Sequence, residues 1–225
     1  DVYKRQAYPR VAYWSIRDFA EAVEELLDAL GIESAHFVGE SFGSLVAWQF
    51  GILHPLRVRS FTLLGGFAQA PRFRVAGAAG VALRTLPPRL FEAAIQLYVA
   101  GKSRIGEARE VFDIGPYPAT RTPAGMRATA NRMSIIQNTS FVEQLSTVQF
   151  PVRYLGGAKD IVVPVRREIA TLTAHLPERC SFQSSLLPGA PHNIIASHPY
   201  ATVEHISHWI RNAERSTVLI APETR

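Results

Sequence analysis

Cysteine is almost absent from this chain: Cys180 is the one thiol in 225 residues. That excludes an intramolecular disulfide framework and any thiolate-rich zinc site. Long apolar runs are missing as well. The longest mid-chain stretch free of charged and strongly polar side chains, Val75 to Leu83, falls well short of the roughly 18 residues a spanning helix needs, so no stable membrane insertion is expected. Charged residues make up only 19% of the chain against 47% hydrophobic, a balance that excludes intrinsic disorder. Nor is positive charge concentrated. Although 24 Lys+Arg exceed 19 Asp+Glu, the arginines come singly or in pairs such as Arg57/Arg59, Arg72/Arg74 and Arg166/Arg167. A nucleic-acid surface needs clustered charge, so none is expected as a partner. Phosphate-cradling glycine loops and metal-ligand clusters are both lacking, which implies no cofactor and no metal. What remains is a soluble globular protein with one domain or one domain carrying an insertion, expected in the cytoplasm and with a small molecule as partner.

What is present has a rhythm. Ser15-Ile16-Arg17-Asp18 reads as a capping box, with a hydroxyl at the N-cap and an acid three residues on. Phe19, Val23, Leu26, Leu27 and Leu30 follow at helical spacing, and Gly31 stops the helix. Ala35 to Val38 is short and apolar and reads as a buried strand. It leads into Gly39-Glu40-Ser41-Phe42-Gly43, then a helix over Ser44 to His54 that Pro55 ends, then a second strand over Val58 to Leu64. Strand, helix, strand is the signature of a parallel sheet with crossover helices.

Residues 71 to 150 change character. Prolines punctuate helical patches at about 88–101, 103–112 and 123–137, and no strand pair is evident. The α/β rhythm resumes with Val152 to Leu155, a helix over 165–175, a strand over 181–187 and a last helix over 200–213. The expected fold class is α/β: a mostly parallel sheet formed by residues 1–70 and 151–215, a helical insertion over 71–150, and a tail over 216–225.

The pentapeptide 39–43 fits Gly-x-Ser-x-Gly, the nucleophile elbow. A serine at a sharp strand-to-helix turn is backbone-strained, so Gly39 and Gly43, two positions either side, are expected to lack bulk for want of space. The same turn aims the helix N-terminus and the Phe42 N–H at the point where charge develops on an attacked carbonyl. Chance alone supplies the pattern in roughly one chain of this composition in fifteen, so the strand before it and the helix after it carry the weight.

Serine needs a base, and the base needs an orienting acid, in the chain order Ser, acid, His. Of seven histidines, His36 lies in a strand, His54 at a helix end, His175 in a surface helix, and His198, His205 and His208 accompany the last helix. Only His192 sits in a Gly/Pro loop just beyond a strand, where it can reach across the sheet's carboxyl edge. Among the aspartates Asp18 is a cap partner, Asp28 a solvated helix residue, and Asp113 part of the insertion. Asp160 follows a strand in Gly156-Gly157-Ala158-Lys159-Asp160 and is the candidate acid.

With these residues in view the chain resembles the α/β-hydrolase fold superfamily, capped members especially. The likeness runs from about Ser15 to Ile210 and rests on the elbow, the Gly-Gly-x-x-Asp-x-x-x-Pro loop and the Pro-Gly-x-x-His loop. It implies Ser41 as nucleophile, Asp160 as orienting acid, His192 as base, and residues 71–150 as a cap. Asp-nucleophile relatives of this fold, the dehalogenases and epoxide hydrolases, do not match Ser41. The implied function is hydrolysis of a carboxylic ester or related acyl substrate. A non-catalytic binding or scaffold protein, and an acyltransferase, C–C hydrolase or lyase on the same residues, are the alternatives. Two departures stand out: Ser44 occupies a position where many members have glycine, and no His-Gly-type loop carrying a second oxyanion donor precedes Ser15. The chain opens Asp-Val-Tyr-Lys-Arg-Gln without Met, a string similar to a translated sequencing-adapter scar. The early strands are accordingly expected upstream, in a truncated metagenomic reading frame.

Overall fold

The computed structural model describes residues 13–69, 85–87, 89, 90, 93 and 122–218. Ten named elements follow in chain order: α1 (Ile16–Ala29), β1 (Ala35–Glu40), α2 (Phe42–Leu53), β2 (Val58–Leu64), α3 (Pro123–Asn138), β3 (Val152–Gly157), α4 (Val165–His175), β4 (Phe182–Leu187), α5 (Ile194–Ser197) and α6 (Pro199–Val218). The chain divides into two compact units, Asp1–Phe19 with Gln69–Ser140, and Ala20–Ala68 with Phe141–Arg225.

The second unit holds the sheet. Its four strands lie side by side in chain order and pair in parallel throughout. Parallel strands need crossovers, and α2 and α4 supply two of them. Sheets covered on both faces demand continuous apolar strands, and all six residues of β3 and six of seven in β2 are buried. Helix α2 is apolar around its whole circumference, as a helix sunk in a core must be. Its Trp48 ring meets Phe61 of β2 edge-on at 4.8 Å, and its Phe50 lies 4.8 Å from Phe37 of β1.

At the start of α1 the capping box forms as the sequence reads. Ser15 N–H and Oγ–H both donate to Asp18, and Asp18 N–H donates back to Ser15 Oγ at 3.2 Å. The apolar stripe of α1 is narrower than the periodicity suggests: Ala20 and Leu27 are buried, while Leu26 and Leu30 are exposed beside it. In the first unit, α3 begins with Pro123 behind a Thr122 cap whose Oγ1 accepts the Gly125 N–H, and Asn131 donates to the Trp14 carbonyl at 2.7 Å.

The strands run longer than the apolar pattern indicates. β1 continues through Gly39 and Glu40 to the residue before Ser41, and β3 through Gly156 and Gly157. Helix α2 starts at Phe42, with no linker after the serine. A short helix, α5, precedes the last one, which reaches Val218. Phe141 N–H donates to the Ala68 carbonyl at 2.9 Å, so the chain leaves the sheet unit at Ala68 and returns at Phe141. Residues 141–150, grouped with the insertion on sequence, thus cluster with the sheet, burying Phe141, Leu145, Val148 and Phe150. The helical patches expected at 88–101 and 103–112, the apolar run Val75–Leu83 and the aromatics Phe73, Phe91, Tyr98, Phe112 and Tyr117 lie outside the described residues apart from three isolated positions.

Candidate active site

All four strands point the same way, so the turns that follow them gather at one edge. Ser41 follows β1, Gly65 follows β2, Asp160 lies three residues past β3, and His192 lies five past β4. Residues distant in sequence are thereby brought within contact of one another.

Ser41 sits at φ 50° and ψ −117°, and is the one non-glycine residue with positive φ among the described residues. That conformation is costly for a side-chain-bearing residue and persists because the surroundings over-determine it. Ser41 N–H donates to Leu64 O at 3.1 Å, while its carbonyl accepts from Ser44 Oγ at 2.6 Å. Gly39 is needed where it stands: a Cβ there would lie 2.8 Å from the Gly43 carbonyl oxygen. The expectation for Gly43 needs correcting, because a Cβ there would meet nothing within 4 Å. The turn folds Gly43 back over Gly39 but leaves the outer side of Gly43 open, so shortage of space does not account for that glycine.

His192 Nε2 lies 2.9 Å from Ser41 Oγ, and its Nδ1 lies 2.8 Å from Asp160 Oδ2. The Asp160 side chain is fully shielded from solvent, and that of His192 is 8% exposed. The other carboxylate oxygen, Oδ1, accepts the backbone N–H groups of Val162 and Val163, each at 2.8 Å. Two backbone donors fix which way the carboxylate faces. The loops carrying the acid and the histidine are themselves tied together, with Ala158 N–H donating to Leu187 O and Lys159 N–H to Ala190 O.

No other histidine of the described chain joins this group. His36 bonds Ser60 Oγ at 2.7 Å, His54 faces Glu24, and His205 lies by Arg153. Glu40, the variable position of the elbow, points its carboxyl toward the Ile195 backbone in α5, just after His192. Burial raises its pKa, opposed by the Ile195 backbone N–H and the nearby His192, and Oε1 has no hydrogen-bond partner. Cys180 donates to the Phe150 carbonyl, and burial pushes its thiol up to about 11, which leaves it protonated and inert at neutral pH. Among the described residues no three His, Cys, Asp or Glu side chains are grouped to hold a metal ion.

Two supporting residues escaped the sequence reading. Ser44, seen there only as a departure from glycine, is fully buried and also accepts the Phe67 N–H at 3.0 Å, joining the elbow to the turn after β2. Gly65 stands at φ +51°, and a Cβ there would lie 3.3 Å from His192 Nδ1 and 3.4 Å from Asp160 Oδ2. The doubled glycine after a buried strand was the available signal. Gly65→Ala combines a disfavoured backbone with crowding of the His–Asp pair. It is expected to lower stability by about 1–2 kcal/mol and turnover on an activated ester roughly tenfold. Denaturant melts and initial rates check it, and wild-type values in both would show that the pair has room to give.

A parallel sheet that presents a serine on a strained strand-to-helix turn, with a histidine and a buried acid at the same edge, defines an α/β protein of the nucleophile-elbow class. The chain belongs to the alpha/beta hydrolase fold family, whose model matches residues 6–199. Over 161 residues it is 26% identical to a protein of Azorhizobium caulinodans provisionally named carbamate hydrolase RutD, a match covering 67% of this chain and 57% of that one. A 46-residue stretch is 50% identical to 2-hydroxy-6-oxo-6-phenylhexa-2,4-dienoate hydrolase of Comamonas testosteroni, covering 20% of this chain and 16% of the relative. The enol-lactonase from Burkholderia xenovorans LB400 has the same fold, with a TM-score of 0.68 at 16% identity over 88% of this chain and 74% of the other. The chain thus spans little more than half the length of the curated relative that it matches over the longer stretch.

Proposed function

We propose that this protein is a serine hydrolase that cleaves a carboxylic ester or related acyl substrate through a covalent acyl-enzyme. The observation that carries this reading is the unbroken hydrogen-bonded chain Ser41–His192–Asp160 at the carboxyl edge of the sheet. With Asp160 accepting from Nδ1–H, Nε2 is left as an acceptor for the serine hydroxyl. As Ser41 Oγ bonds to the substrate's carbonyl carbon, its proton passes to Nε2 and the carbonyl π electrons move onto oxygen. The Phe42 N–H, at the positive end of α2, holds that oxyanion. Collapse expels the leaving group, which takes the proton from His192. Water then attacks the acyl-serine by the same sequence and releases the acid. No step calls for a cofactor.

Support also comes from the relative provisionally named a carbamate hydrolase, which is a hydrolase by name. Of the insertion expected over 71–150, residues 71–140 are proposed as a cap because they separate β2 from β3, strands that pair directly in the sheet, while 141–150 cluster with the sheet unit. A fluorophosphonate probe should label the protein at Ser41, and Ser41→Ala should abolish the labelling. Labelling that survives Ser41→Ala would place the nucleophile elsewhere. A folded protein that resists the probe would favour a binding role.

A further inference from the structure

Away from Ser41, the sheet face near α6 buries a guanidinium that no carboxylate among the described residues neutralises. Arg153, second residue of β3, is 7% exposed. Its terminal nitrogens donate to Gln183 Oε1 at 2.8 Å and Ser185 Oγ at 3.0 Å, both on β4, and one lies 3.4 Å from His205 Nδ1 on α6. The cation stands 5.6 Å from the centre of the Trp209 ring. Each of these partners is formally neutral or, for His205, cationic when protonated. Two donors remain unused in this cluster, Arg153 Nε and the indole Nε1 of Trp209, both buried and without a hydrogen-bond partner. A buried charge normally keeps a counter-charge, and a buried donor an acceptor. Burial alone already pulls the Arg153 pKa down, with no acid opposing it.

A groove of about 730 Å³ opens beside this guanidinium. Gln183 and Ser185 line it from β4, and His205, His208 and Arg211 from α6. It holds one acid, Glu204, which is exposed. We propose that this groove binds a tetrahedral oxyanion, either inorganic phosphate or the phosphate of a small phosphomonoester. Two arginines, a hydroxyl and an amide converge on one opening, which suits a group with many lone pairs and more than one negative charge. The volume exceeds that of a bare anion, so the organic part of a monoester fits as well. The site is separate from the candidate active site. Arg153 lies near the amino end of β3, about 13 Å of strand before Gly157, whereas Ser41, Asp160 and His192 gather beyond the carboxyl ends.

The test is an equilibrium titration with sodium phosphate, and separately with glycerol phosphate, at fixed pH and ionic strength, chloride making up the balance. Trp209 beneath the guanidinium supplies a fluorescence signal. A saturable change with a midpoint in the millimolar range or below is expected. Arg211→Ala on the exposed face of α6 should weaken it roughly tenfold, and Glu204→Gln should tighten it several-fold. Arg153→Met should abolish it. Because that variant removes a buried, hydrogen-bonded side chain and is liable to misfold, the opposite signs at 204 and 211 carry the test. A tighter midpoint for glycerol phosphate would identify the monoester as the ligand, and equal midpoints the free anion. The proposal is overturned by a response that does not saturate, by acetate or chloride acting as well as phosphate, or by indifference to both helix substitutions.

Discussion

Asp160→Asn is expected to reduce turnover about 10⁴-fold with little change in fold. The size follows from which atoms the carboxylate occupies. Oδ1 accepts two backbone N–H groups, from Val162 and Val163, so an amide NH₂ placed there would face two donors. Asparagine must therefore turn its oxygen to that side and its NH₂ toward His192. An NH₂ facing Nδ1 makes that nitrogen the acceptor and moves the imidazole proton to Nε2. In the proposed mechanism His192 then presents a proton to Ser41 where it should accept one. Geometry survives while the chemistry is lost, which separates this variant from Ser41→Ala and His192→Ala, expected to fall by about 10⁶. Steady-state rates on an activated ester, with circular dichroism as the fold control, make the comparison. A rate for Asp160→Asn within tenfold of the parent would mean that another group orients His192.

The three side chains were legible because each is tied to a local pattern. Ser41 lies between glycines at a strand-to-helix junction, and Asp160 and His192 occupy Gly/Pro loops just beyond strands. Parallel pairing then does the rest, since loops at the same strand end converge whatever their separation in the chain. β2 and β3 were legible because burial on both faces leaves a mostly apolar run, whereas β1 is largely half-buried and β4, with Gln183, Ser184 and Ser185, is half polar. The strand ends were not legible, because Gly39, Gly156 and Gly157 are paired in the ladder yet carry no apolar signal.

Groups whose role depends on contacts distant in sequence were missed. Gly65 reads as a strand stop, and its closeness to His192 appears only when the fourth strand's loop arrives. Arg153 breaks an otherwise apolar strand and reads as a flank charge until α6 covers it with Trp209. Glu168 lies in a helix of ordinary amphipathic pattern that gives it no distinguishing signal, yet it is 6% exposed. Periodicity reports the average character of a face and is blind to a single polar group that finds a buried partner.

Glu168 carries the second large expectation, in stability. Its Oε1 accepts the Ala68 N–H at 2.6 Å, at the point where the chain leaves the sheet unit, and the Ala68 carbonyl accepts from Phe141 on the return. Burial raises this carboxyl to about 7, a shift that the Ala68 N–H and Arg167 only partly offset. An acid whose pKa is higher folded than unfolded keeps its proton in the native state while the unfolded chain releases it. Native protein therefore binds more protons than unfolded between about pH 4.5 and 7, and stability falls as pH rises through that window. The loss attributable to this one group is about 3 kcal/mol, complete above pH 7 and absent below about 4.5. Glu168→Gln keeps an oxygen for the Ala68 N–H and has no charge to bury. It should match the parent near pH 4.5 and exceed it by about 2–3 kcal/mol at pH 8. Urea melts at pH 5, 6, 7 and 8 on both proteins isolate the effect, since every other titrating group is common to the two and cancels in the difference. Parallel stability profiles would mean that Glu168 ionises in the folded protein as freely as in the unfolded chain, with the Ala68 N–H and Arg167 compensating its burial in full.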